Sequence, residues 1–278
     1  MKKTTNAKNA SAARSASAMI RWRKAYGAAL FLIIMATFAV GCASYRGTAT
    51  SAQPSVVSQE GHWTMVRNFP HVAQQGDKDC GAASLAAVLR YFGQSASPES
   101  IATAMNSTDS RLSAGEMATY ARDAGLRSYV FYGTMKDVVH ELDRGRPVIV
   151  GLGKMIDEKK ALSHYEVVVG YEPNKKQVLL LDPARGWQVD SYEGFANEWA
   201  ISKAVTIVVL PDAQKGTATR LDRRAGTELE PSTTEAQLYA AREATSPEAK
   251  KYRGGDYIVI SASALIVILL VVIIVLLV

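Results

Sequence analysis

Cysteine is scarce in this chain: two residues among 278, Cys42 and Cys80. A small exported domain stapled by disulfides spends more than that. Two lone cysteines with separate tasks fit the pattern better than a Cys42–Cys80 bridge. Histidine is scarce as well, with four residues, and these are scattered. Without a cysteine pair they give no ligand spacing, so neither a metal nor a cofactor is expected. No GxxxxGK[ST] loop occurs, so a P-loop nucleotide site is excluded. Acidic residues are missing from residues 1–41, which hold seven Lys or Arg. Residues 42–278 then carry 25 basic and 26 acidic side chains, a net of −1. The formal charge of +6 therefore belongs to the N-terminal segment, and no nucleic-acid footprint is read from it.

Both ends of the chain are apolar. Arg21, Arg23 and Lys24 flank a 13-residue apolar run, Ala28 to Val40, which has the length of an export-signal core and is short for a spanning helix. It closes in Ala39-Val40-Gly41-Cys42, which resembles a lipobox, with Cys42 as the lipidated residue. An uncleaved signal anchor is the alternative, and both readings export the rest of the chain. At the other end, Tyr257 to Val278 is interrupted only by Ser261 and Ser263. A helix of that length spans roughly 33 Å, enough for a bilayer core. A transmembrane helix is expected there, although Lys250, Lys251 and Arg253 before it favour the cytoplasmic side. The expected organisation is a signal peptide (1–41), a tether (42–61), one folded domain (62–210), a linker (211–256) and the spanning helix (257–278).

Within the domain, apolar spacing predicts helices first. One runs from Cys80 to Phe92 and ends at Gly93; a second opens at Ser97-Pro98. A capping box at Ser113-Ala114-Gly115-Glu116 starts a third, closed by Gly125, and a fourth covers Thr134 to Arg144. A short helix around Thr234 to Thr245 is also compatible with the pattern. Strands are predicted at 147–151, Tyr165 to Tyr171, Gln177 to Leu181 and Ala204 to Leu210. Helices followed by an antiparallel sheet define an α+β domain.

Cys80 opens its helix, and a helix N-terminus favours the thiolate, the nucleophilic form of cysteine. A buried, inert thiol is the competing reading. His164 begins a predicted strand, and Asp182 ends the next one. A hairpin through Pro173-Asn174-Lys175 would bring the two to the same end. Thiol, imidazole and carboxylate then make a nucleophile, a base and an orienting group. Gln74 or Gln75 could donate to an oxyanion together with the Cys80 amide. His62, His71 and His140 lie near no predicted strand end.

The order Gln, Cys, His, Asp carries a resemblance. The segments QQGDKDCGAASLAAVLRYFG and SHYEVVVGYEPNKKQVLLLDPARG resemble the bacteriocin-processing, double-glycine-type peptidases, a papain-like family. The resemblance covers residues 68–210. It implies a papain-like fold, with N-terminal helices packed on a C-terminal antiparallel sheet. It also implies Cys80 as nucleophile, His164 as base, Asp182 as orienter and Gln74 as oxyanion donor. Family members cut peptide bonds, often after paired glycines in leader peptides. The best-known members carry transporter parts on the same polypeptide and face the cytoplasm; this chain departs from them in both respects.

The expected function is therefore a cysteine peptidase of the bacterial cell envelope. It would be anchored outside the cytoplasm by lipidated Cys42 and the C-terminal helix, and would act on a peptide or protein substrate. An inactive peptide-binding module and an acyl transferase on the same scaffold are the alternatives. Gly254-Gly255 is itself a double glycine, which makes self-release from the membrane conceivable; a flexible hinge before a helix is the far commoner meaning of such a pair.

Overall fold

The computed structural model describes residues 47–57, 59, 61–107, 111–211, 233–259 and 273. The expected signal peptide and Cys42 lie outside the described residues. So does nearly all of the expected spanning helix. Among the described residues no helix is long and apolar enough to cross a membrane.

A nine-stranded sheet organises the domain. Its strands are β1 (Thr50–Ser51), β2 (Thr64–Met65), β3 (Arg127–Tyr132), β4 (Val148–Met155), β5 (Lys160–Glu172), β6 (Gln177–Asp182), β7 (Gly186–Ser191), β8 (Val205–Leu210) and β9 (Tyr257–Val259). The main order is β1-β7-β6-β5-β4-β8-β3, with β2 and β9 pairing to opposite ends of β5. Every pairing is antiparallel. The helices are α1 (Pro54–Val57), α2 (Cys80–Tyr91), α3 (Pro98–Ala104), α4 (Ala114–Asp123), α5 (Met135–Asp143), α6 (Tyr192–Ile201) and α7 (Thr233–Ala244).

The caps fall where the sequence puts them. Ser97, Ser113 and Thr134 each accept from a backbone amide three residues on, and each receives the reciprocal bond of a capping box. Helix α2 is buried from Cys80 through Leu89 and lies against β5. Its alanines, Ala82, Ala83, Ala86 and Ala87, let the helix approach the sheet closely, and Ser84 Oγ donates to the Tyr165 carbonyl at 3.3 Å. An inward-facing hydroxyl on such a helix needs that partner.

Five expectations change. Strand β3 lies between the expected third and fourth helices, and β7 and α6 follow β6, so the chain is less cleanly helices-then-strands than the pattern suggests. Strand β5 starts at Lys160, which places His164 inside the strand, not at its start. Part of the expected tether docks: Thr50 pairs with Val189. The expected linker is part of the domain from Thr233 on, because Glu235 and Tyr239 of α7 bond to groups buried beneath them. Arg146, fully buried, donates to Glu141 at 2.8 Å and also to Glu235. The Tyr239 hydroxyl donates to Glu141 at 2.5 Å, and its ring stacks on Phe131 at 5.4 Å. Finally, Tyr257–Val259, expected as the first turn of a spanning helix, pairs as β9 with Lys160–Leu162.

Candidate active site

Helix α2 and strands β5 and β6 bring the three reactive groups together. Cys80 is the first residue of α2 and is fully buried. Register explains the meeting of the other two. Val167 pairs with Leu181, so Asp182 falls opposite Glu166, two residues along β5 from His164 and on the same face. His164 Nε2 bonds Asp182 Oδ1 at 2.8 Å, both groups nearly solvent-free. Cys80 is the other side chain that acts on the His164 imidazole. Asp182 Oδ1 also accepts from the Ala184 amide at 2.8 Å, which fixes the carboxylate in the turn before β7.

Burial by itself disfavours an imidazolium here. The charges of Asp182 and Cys80, with their hydrogen bonds, outweigh it and push the His164 pKa up to about 10. The arrangement therefore favours a proton on His164 at neutral pH. A Cys80–His164 pair can attack a carbonyl carbon through sulfur and deliver the proton to a leaving group.

The loop before Cys80 is shaped by Asp79, a residue that no motif in the sequence singles out. Asp79 does not cap α2. Its carboxylate turns back and accepts from the Gln75 amide at 2.9 Å and the Gly76 amide at 3.1 Å. Gln74 is tied to the end of β6 by its backbone amide, which donates to the Pro183 carbonyl at 3.0 Å. Its side-chain Nε2 donates to the Gly76 carbonyl at 2.8 Å. Gln75 points to a different element, donating to Glu99 at 2.6 Å. Of the two glutamines, Gln74 is the one whose main chain is joined to the Asp182 corner.

Behind the triad lies a buried charge cluster that the sequence pattern also leaves unmarked. Lys154 of β4 sits between Glu166, at 2.6 Å, and Glu198 of α6, at 2.5 Å. Burial raises the Glu166 pKa to about 7, against the opposing pull of Lys154, with the nearby Asp182 charge adding to the rise. The available signal is period two: His164 and Glu166 share a face of β5. Two trios could meet the geometry of a metal site, His164–Glu166–Asp182 and His140–Glu141–Glu235. In each the carboxylates already bond protein cations, Lys154 and His164 in one, Arg146 in the other. His140 serves the second network, bonding Glu235 at 2.8 Å. A separate groove lined by Trp63, Met65, Phe69, Leu142 and Trp187 contains none of the reactive groups.

Helices packed on an antiparallel sheet, with cysteine on a helix start and histidine on a facing strand, define a papain-like cysteine peptidase domain. Residues 66–207 match the Peptidase_C39 like family, and this chain belongs to that family. No curated protein matches the chain. Among solved structures it is similar to the peptidase domain of Streptococcus ComA, a bi-functional ABC transporter involved in a quorum sensing pathway. That match has 22% identity over 52% of this chain and 100% of that one, with a TM-score of 0.42. A putative C39-like peptidase from Bacillus anthracis matches at 16% identity over 54% of this chain and 98% of that one, TM-score 0.46. A double glycine motif protease from an AMS/PCAT transporter, in complex with its leader peptide, matches at 19% identity over 55% and 96%, TM-score 0.39.

Proposed function

We propose that the chain is a cysteine peptidase that cleaves a peptide or protein substrate through a thioester, with Cys80 as nucleophile. The reading is carried by one observation: Asp182 holds the buried His164 imidazole at 2.8 Å, and Cys80 is the other side chain that acts on that ring. The sulfur adds to a peptide carbonyl carbon. His164 passes its proton to the leaving amine and then takes one from the water that hydrolyses the thioester. Asp182 keeps the ring oriented throughout. The Cys80 amide and Gln74 Nε2 serve the oxyanion; Gln74 first releases the Gly76 carbonyl. Membrane anchorage outside the cytoplasm, through Cys42 and the C-terminal apolar run, completes the proposal and rests on the sequence pattern at both ends.

A thiol-reactive peptide probe tests the chemistry. It should label the wild type and not Cys80→Ala, and peptide hydrolysis should fall about 10²–10⁴-fold in His164→Ala. Equal labelling of wild type and Cys80→Ala would leave a binding module without turnover.

A further inference from the structure

The candidate active site is already filled, and the occupant is this chain's own tail. After α7 and a 3₁₀ turn (Pro247–Lys251), residues 252–256 pass the active site, with Gly254 against the Cys80 sulfur. The tail is held on two sides like an added strand. On one side the Ala114 amide donates to the Tyr252 carbonyl at 2.8 Å, and Gly254 donates to the Leu112 carbonyl at 3.4 Å. On the other, Gly255 donates to the Ser163 carbonyl, and Ser163 donates to the Asp256 carbonyl, both at 2.7 Å. Ser163 is the residue next to His164. Ion pairs clamp both flanks: Arg253 with Glu116 at 3.1 Å, and Asp256 with Arg111 at 2.6 Å. The Tyr252 ring enters between β4 and β5, donating to the Leu152 carbonyl at 2.5 Å and accepting from the His164 amide at 3.0 Å.

The residue at the sulfur is Gly254, and Gly255 follows it beside Arg111 and Lys78. A β-carbon on Gly254 would stand 2.6 Å from Cys80 Sγ and 2.8 Å from the Tyr165 ring, both fully buried. Gly255 has φ +83, the left-handed region that favours glycine. Only a glycine pair brings the main chain this close to the sulfur. Among the described residues, the carbonyls of Tyr252, Arg253 and Asp256 accept hydrogen bonds, while those of Gly254 and Gly255 accept none. A segment that only blocked the site would gain from a bulky side chain there. This one carries two glycines whose carbonyls have no hydrogen-bond partner among the described residues.

We propose that the Gly254-Gly255 pair is a cis substrate, so that the peptidase cuts its own C-terminal tail. The proposal rests on the peptidase reading above and names a substrate for it. Cys80 sulfur adds to the carbonyl carbon of one glycine of the pair, and the C–N bond to the following residue breaks. The proton on His164 goes to the leaving amine. Water then hydrolyses the glycyl thioester, leaving a chain with a C-terminal glycine carboxylate and a second fragment with a free amino terminus. The thiol and imidazole are restored. Holding the bond against the nucleophile removes the entropy cost of encounter, which well-oriented intramolecular reactions exploit strongly. The released fragment includes the whole apolar run that begins at Tyr257.

The test uses the full chain in detergent, followed by intact-mass spectrometry over time. Wild type should lose mass to a new C-terminus at Gly254 or Gly255, at a rate independent of protein concentration. Cys80→Ala, which removes only the sulfur, should stay whole. Gly254→Val should also stay whole, while iodoacetamide labels its Cys80 several-fold faster because the displaced tail uncovers the sulfur. A synthetic peptide of residues 249–259 separates the cis reaction from the peptidase reading beneath it. If wild type stays whole yet labels and cuts that peptide in trans, the cis reaction is overturned and the peptidase reading stands. If wild type stays whole and Gly254→Val, whose sulfur is uncovered, neither labels nor cuts that peptide, both fall. A cut that persists in Cys80→Ala, or whose rate rises with concentration, also overturns the cis reaction.

Discussion

His164 sets the pH behaviour of the site. Its folded pKa, about 10, lies above the ordinary histidine value of 6.5. A raised pKa means the folded state holds its proton more tightly than the unfolded chain does. Its contribution to stability is complete below about 6.5 and is lost as pH rises through about 10. Urea unfolding of wild type should therefore show declining stability across that window. Asp182→Asn, which removes the largest of the charges that raise the pKa, should show a shallower decline. The same variant should lose hydrolysis within the ~10⁴-fold that removing the orienting carboxylate costs a serine triad. If both proteins lose stability equally across the window, His164 does not hold the proton in the folded state.

At the scale of elements, α7 owes its place to buried charge. Arg146 has no solvent exposure and lies between Glu141, equally buried, and Glu235. Burial raises the Glu141 pKa, opposed by Arg146 and by the Tyr239 hydroxyl. Arg146→Met removes the cation from Glu141, which is fully buried, and from Glu235, which is mostly so. The expected cost is about 3–5 kcal/mol, read from urea unfolding. Because α7 leads into the tail over Cys80, the same substitution should also raise the rate at which iodoacetamide labels the thiol. A loss below ~1 kcal/mol, within the range of an exposed pair, would mean the network is not sealed from solvent. Strand β4 shows the complementary device. A β-carbon at Gly151 would lie 2.5 Å from the Tyr252 ring, so a glycine on β4 is what admits the tail's aromatic side chain.

For the whole molecule, the expectation that Cys42 carries lipid gives a direct check. Cells given labelled palmitate should incorporate it into wild type and not into Cys42→Ser, with both proteins recovered from membranes before any tail cleavage. Incorporation into both would move the modification elsewhere. If the tail is cut at the glycine pair, the lipid becomes the lasting tether and the C-terminal apolar run a temporary one. That order gives two anchors successive tasks.

Local signals in the sequence determined a good part of this protein. The capping box at Ser113, the glycine stops and the apolar spacing of α2 act over a few residues, so they read without a fold. Cys80 at a helix start, and His164 and Asp182 on consecutive strands joined by a short turn, are also near-local, so a hairpin was enough to pair them. Tertiary structure alone decided the rest, because long-range pairing leaves no fixed spacing in the chain. Glu198 and Lys154 lie 44 residues apart, and Arg146 and Glu235 lie 89 apart. Nothing in residues 233–256 marks them as domain and not linker, since their partners sit on β3, α5 and β5. Above all, Gly254-Gly255 reads as a hinge until folding sets it on a sulfur 174 positions earlier in the chain. Steric exclusion against the sulfur at Gly254 and a left-handed backbone at Gly255, both invisible in one dimension, are what glycine answers there.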